Sequence, residues 1–463
     1  MPGLLAKDRI IAPSGYNRWL VPPAALAIHL SIGMAYGFSV FWLPLSRDGG
    51  WKVSTLGVMY SLFFIFLGSS AAIFGRWVER EGPRKAGFVA ALCWGGGFFI
   101  SALGIYWHQI ALLWLGSGVI GGCGLGLGYI SPVSTLIKWF PDRRGMATGM
   151  AIMGFGGGAM IGSPLADILM RHYATPAGPG VWQTFVTLGV IYTIPMLCGA
   201  FGYRLPPPGW QPTGWTPPPP TQRAMITTRD VHVQDAWKTP QFWLLFVVLC
   251  MNVSAGIGVI GMASPMLQEV FGGKLIGAAG ALKDLTSDQR AQVATIAAGF
   301  AALLSLFNIA GRIFWASLSD FLGRKRTYFI FFTLGIVLYA LAPSAGKMGS
   351  VALFVGIFCV ILTMYGGGFA TIPAYIADLF GTRFVGAIHG RILLAWSLAG
   401  VLGPQLVNNI REYQIDHGVP AAQAYNTVMY ILAGMLVIGF FANLAVRPVA
   451  ERYYMSEEEL VRS

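Results

Sequence analysis

Twelve apolar runs with almost no charge inside them constrain this chain more than any other feature of its sequence. They cover 20–46, 54–77, 86–106, 110–138, 146–171 and 183–203, then 241–270, 292–318, 327–344, 349–377, 387–410 and 423–446. Most are about as long as a helix must be to cross a hydrocarbon layer roughly 30 Å thick, where every backbone amide needs a partner within its own segment. Of the 463 residues, 55% are hydrophobic and 11% charged, against a charged share of about 25% in soluble proteins. Enlarging a soluble core does not lower charge that far. The expectation is an all-α integral membrane protein with twelve transmembrane helices.

The break at 204–240 holds Pro206-Pro207-Pro208 and Pro217 to Pro220. Proline lacks the amide donor a helix needs, so this segment reads as an aqueous linker between an N-terminal six-helix half, 1–203, and a C-terminal half, 241–463. The net charge of +12 is scattered over short loops rather than gathered on one face. That distribution suits topology signals and anionic lipid, not nucleic acid. The lysine and arginine bias places both termini and the linker in the cytoplasm of a cell membrane, the inner one in a bacterium. Residues 1–19 show no cleavage pattern, so the first helix reads as an uncleaved start signal. On the outer side, 272–290 carries Gly277, Gly280, Lys283 and Asp284 and reads as a small cap. The five cysteines fall in apolar runs without metal-ligand spacing, and no histidine pair at i, i+4 or Gly-Lys-Ser/Thr loop occurs. No metal, cofactor or enzymatic chemistry is expected.

An internal repeat organises the whole. Glu79, Gly82 and Lys85, between the second and third helices, match Asp320, Gly323 and Arg326, between the eighth and ninth, at an offset of 241 (320 − 79). Gly149 with Gly390 and Gly162 with Gly403 keep that offset, and Phe140 with Phe380 comes within one residue of it. Both copies of the loop lie on the same side of the membrane, so the halves are parallel repeats.

This layout resembles the major facilitator superfamily over essentially the whole chain. Finer features resemble its oxalate/formate antiporter family, which is related to monocarboxylate transporters. They are Asn17-Arg18-Trp19-Leu20, Tyr36 to Phe41, Gly126 to Tyr129, Trp139 to Gly145, Gly366 to Phe369, and Pro373-Ala374-Tyr375. The resemblance implies the major facilitator fold and secondary transport of small carboxylates by alternating access, with proton symport.

Arg312 is the single charge inside the eighth helix, eight positions ahead of Asp320 and so about 12 Å from it along the axis. Its counterpart in the other repeat is Ala71, so the charge is not part of the shared scaffold. A guanidinium presents a planar fork that pairs with a carboxylate through two parallel hydrogen bonds. Asn308, one turn earlier on the same face, either orients the arginine or touches the solute. The resemblance adds that monocarboxylate transporters carry an arginine at this point. Tyr36, Tyr129, Tyr365, Phe369 and Trp396 match cavity aromatics of the family in context. Membrane aromatics also commonly pack against lipid or other helices.

His29 and Asp167 are the candidates for a coupling proton, although a lone histidine is often a satisfied packing residue. The loop charges Glu79, Arg84, Lys85, Asp320, Arg324 and Arg326 suit a conformational latch, in which the acid accepts from helix-end amides or its basic neighbours. Arg391, at the start of the eleventh helix, is a gating candidate. Gly154, Gly158 and Gly162 have the spacing that lets helices approach closely. Oxalate exchangers of the family carry a second cation within the eleventh helix, where this chain has Trp396. One deep arginine suits one carboxylate, so lactate, pyruvate or formate is expected before oxalate. The alternatives are an oxalate/formate exchanger and a non-transporting sensor of organic acids. The protein is expected to be a monomer.

Overall fold

The computed structural model describes residues 3–51, 53–175, 178, 180–216, 225–260 and 262–456. Twelve helices among them are long and apolar enough to cross a membrane. They are α1 (Arg18–Phe38), α2 (Val58–Glu81), α3 (Pro83–Tyr106), α4 (Ile110–Trp139), α5 (Arg144–Met170), α6 (Val181–Gly202), α7 (Pro240–Ile260), α8 (Ala302–Leu322), α9 (Arg324–Lys347), α10 (Val351–Phe380), α11 (Val385–Asp416) and α12 (Ala421–Ala445). Among the described residues β-pairing is confined to isolated bridges such as Ile11 with Leu205. The chain forms two compact units. The first comprises Met1–Trp243, Ala370–Ser397 and Arg447–Ser463, and the second Leu244–Phe369 and Leu398–Val446.

In the first unit, proline in the opening turn starts α1, where a missing amide costs nothing. The α-helix Val21–Ile32 then tightens into a 3-10 helix over Gly33–Phe41. Small residues let α5 lie directly on it. A Cβ on Gly158 would sit 2.3 Å from the Leu30 carbonyl oxygen, and one on Gly33 would sit 2.2 Å from that of Phe155. The opening turns of α11 press on α2 just as tightly, since a Cβ on Gly390 would stand 2.1 Å from the Ala71 oxygen. Gly82, at φ +93°, turns α2 directly into α3, and Gly323, at φ +87°, does the same for α8 and α9. Only glycine holds that backbone without strain.

The far end of the expected linker is packed rather than solvated. Val231, Val233 and Ala236 are buried. The Thr227 amide donates to the Asp378 carbonyl (2.8 Å), and that of Val231 donates to Phe380 (2.9 Å). Asp230 accepts from the Arg383 amide through its carboxylate (3.0 Å) and from the Met455 amide through its carbonyl (2.9 Å). The three apolar side chains give this stretch something to bury. Pro217 to Pro220 lie outside the described residues.

In the second unit, α8 is the C-terminal part of a long helix, Ser287–Leu322, whose start is fixed by reciprocal bonds between Thr286 and Gln289. The expected cap therefore ends at Thr286 and contains two short 3-10 helices, Gly272–Ile276 and Leu282–Asp284. The seventh apolar run is two helices, Pro240–Ile260 and Ala263–Phe271, and the eleventh breaks at Leu393 between Val385–Ile392 and Leu394–Asp416. Hydropathy is blind to such breaks, because apolarity continues across them. Glu269 on the short helix joins Arg411 at the end of α11 (2.9 Å) and accepts from the Tyr425 hydroxyl on α12 (2.6 Å). Gly366, Gly367 and Gly368 of α10 are packing surfaces, facing Asn308, Trp315 and Asn252 respectively.

Candidate solute site

Arg312 is wholly buried in the second unit. Its Nε donates to Asn308 Oδ1 at 3.1 Å, which sets the plane of the guanidinium. The cation lies 5.6 Å from the centre of the Phe369 ring, within cation–π range. Tyr365 meets Phe369 edge-on, ring centres 5.3 Å apart, so the i, i+4 pair on α10 walls one side of the arginine. Asn252 on α7, which the sequence reading passed over, is buried and faces Gly368, next to Phe369. A polar side chain in the middle of an apolar run was the signal available for it.

The first unit gathers a second cluster. Tyr129 is buried on α4, with Trp396 of α11 at 5.2 Å, Phe155 of α5 at 5.7 Å and His29 of α1 at 5.2 Å between ring centres. Tyr36 is half-buried and packs edge-on against Phe155 at 4.9 Å. Buried His389 lies 5.9 Å from Tyr129. Three of the expected aromatics, Tyr36, Tyr129 and Trp396, thus share one cluster, while Tyr365 and Phe369 sit with Arg312. Asp167 falls within α5, but its side chain lies outside those described.

At the ends of the spans, Glu79 of α2 accepts from the Gly386 amide in the first turn of α11 (3.0 Å) and pairs with Lys138. A carboxylate at a helix N-terminus meets both an amide donor and the positive end of the dipole. Arg84 is buried and donates to the carbonyls of Leu4 (3.2 Å) and Phe201 (3.1 Å), while Lys85 pairs with Glu81 at 2.8 Å. Arg324 bridges Asp320 (2.6 Å) and the Ser319 hydroxyl (2.5 Å), and Arg326 is exposed. Arg391 donates to the Val233 carbonyl at 2.6 Å. Outside the spans, burial lowers the Lys7 ammonium from its usual value, with neighbouring Lys138 adding to the effect. The sequence reading also missed Arg144 and Asp378, a largely buried pair at 3.0 Å. The two are 234 positions apart, so nothing local in the sequence joins them.

Twelve apolar helices, one of them carrying a fully buried arginine, mark a multi-pass membrane protein. Residues 24–404 match the Major Facilitator Superfamily, and the chain belongs to that superfamily of transporters. It is 26% identical over 450 residues to the oxalate:formate antiporter of Oxalobacter formigenes, covering 96% of both chains. It is 25% identical over 396 residues to an uncharacterised MFS-type transporter of Escherichia coli strain K12, covering 84% of this chain and 88% of that one. With monocarboxylate transporter 4 of Gallus gallus it shares 23% over 434 residues, 91% of this chain and 84% of the other. The fold matches that of the outward-facing superfamily transporter FucP, with a TM-score of 0.62 at 12% identity over 92% of this chain and 99% of that one. It also matches that of a bacterial homologue of the lysosomal transporter Spinster, with a TM-score of 0.59 at 16% identity over 96% and 100%.

Proposed function

We propose that the chain is a secondary transporter that carries small monocarboxylates, such as lactate, pyruvate or formate, by alternating access and together with a proton. The observation that carries this reading is Arg312. A fully buried cation within a membrane helix is costly and asks for a functional reason, and here Asn308 holds it in one plane. A guanidinium so held is suited to accept a carboxylate through its fork. The aromatics Tyr365 and Phe369 beside it suit the enclosure of a small organic anion. The likeness to an oxalate:formate antiporter and to monocarboxylate transporters supports the same solute class.

Exchange of oxalate for formate is the second reading, favoured by coverage of 96% of that antiporter. Trp396 argues against it, since a dianion calls for a second cation. In the leading reading the protein works as a monomer in the cell membrane, with six-helix halves 1–203 and 241–463 and with the termini and 204–240 in the cytoplasm. Glu79, Arg84, Lys85, Asp320, Arg324, Arg326 and Arg391 then fasten the span ends in one of the two access states. The test is uptake into proteoliposomes, with thermal-shift titration of the purified protein by lactate, formate and oxalate. Lactate or formate should stabilise the wild type, and Arg312→Gln should lose both that shift and uptake while remaining monodisperse. Normal carboxylate binding by a folded Arg312→Gln protein would remove the assignment.

A further inference from the structure

His29 has a carbonyl oxygen beside each of its two ring nitrogens. The side chain is wholly buried on α1. Its Nδ1 lies 2.6 Å from the Ala151 carbonyl oxygen on α5, and its Nε2 lies 3.2 Å from the Tyr129 carbonyl oxygen on α4. A carbonyl can only accept, and a neutral imidazole has a single N–H to give. In either neutral tautomer one nitrogen would turn a lone pair toward an oxygen lone pair. The imidazolium, with an N–H on each nitrogen, satisfies both contacts. The ring also stacks on Tyr129, with centres 5.2 Å apart and planes 27° from parallel.

Near the same Tyr129 stands His389 of α11, also wholly buried, with neither ring nitrogen hydrogen-bonded among the described residues. Its ring centre is 5.9 Å from that of Tyr129. A buried imidazole without partners is costly unless some state of the protein uses it. Charged groups on the neighbouring helices are directed elsewhere. Arg391 gives its guanidinium to the Val233 carbonyl, and Glu79 is taken by Gly386 and Lys138.

We propose that His29 is the proton-binding site of the transporter and that His389, beside the same Tyr129, is the second station for the same proton. The inference rests on the proposed proton-coupled transport of monocarboxylates. The step balances simply: a neutral imidazole takes one proton from water on one side, one carboxylate enters with it, and both are released on the other side. No other bond changes, and the loaded carrier gains no net charge.

Two measurements test this on the full-length protein. The first is nitrogen NMR of protein labelled at histidine and reconstituted at neutral pH, with the His29 signal assigned by its loss in His29→Gln and its persistence in His389→Gln. The expected signal is that of an imidazolium protonated on both nitrogens; a neutral tautomer overturns the proposal. The second records protons and lactate taken up together by proteoliposomes in weakly buffered medium. The number of protons per lactate should fall to zero in His29→Gln, whatever rate remains. An unchanged ratio overturns the proposal. If wild-type protein moves no carboxylate at all, the anion assignment fails, and the NMR result still decides for or against His29.

Discussion

Asn308→Ala removes the oxygen that holds Arg312 Nε at 3.1 Å. The arginine is wholly buried, so bulk water does not replace the lost acceptor. A hydrogen bond to a charged group contributes about 1.5–3 kcal/mol. At 1.4 kcal/mol per tenfold, the Kd for lactate should rise about 10- to 150-fold if a misaligned guanidinium forfeits that much of its grip on the solute. Arg312→Lys should also weaken binding, because lysine keeps the charge but has neither the Nε donor nor the fork. The informative quantity is the coupling between the two. In the Arg312→Lys background, losing Asn308 should matter far less, giving an interaction of about 1–2 kcal/mol in a double-mutant cycle. The assay is titration calorimetry of the four purified proteins with lactate at one salt concentration, after each runs as a single species by size exclusion. Additive effects, or an unaltered Kd in Asn308→Ala, would refute the view that Asn308 acts by aiming the arginine.

Glu79→Gln leaves an oxygen for the Gly386 amide but strands Lys138, so stability should fall by about 1–3 kcal/mol, read as a lower Tm in detergent. Adding Lys138→Met should recover part of that loss, and an unchanged Tm in the single variant would show the pair to be inert. Trp396→Lys places a cation in the Tyr129 cluster; oxalate, silent with the wild type, should then stabilise the protein in a thermal-shift titration. Single cysteines at Thr213 and Ala281 in a cysteine-free background test the orientation. An impermeant thiol reagent added to intact cells should label Ala281→Cys and spare Thr213→Cys.

The spans were legible because the bilayer imposes a length and composition that no loop imitates. The acidic-glycine-basic repeat located the turns where Gly82 and Gly323 need positive φ. Arg312 and Asn308 were readable as a pair, since i, i+4 on a helix fixes a shared face. Tyr129 and Trp396 could be named from resemblance, but their company could not, because His29, Phe155 and His389 come from different helices. The Glu79–Gly386 contact spans 307 positions and the Arg144–Asp378 pair 234, and tertiary packing alone creates such neighbours. The breaks at Met262 and Leu393 were invisible for a different reason: the lipid-facing requirement is the same on both sides of them.

The first unit draws its residues from three separate stretches of the chain. Trp243 closes its opening stretch, and Arg447 begins its closing one, 204 residues later (447 − 243). At synthesis rates of about 5–20 residues per second, the helices made first must wait on the order of 10–40 s for that closing stretch. Until then the Asp230 carbonyl has no Met455 amide to receive, and the bridge between Val231 and Tyr454 cannot form. The interval is a window in which a half-inserted chain shows unpaired backbone to insertion factors and proteases. A stop codon just before Arg447 would leave that window permanently open, even though all twelve spans had been made.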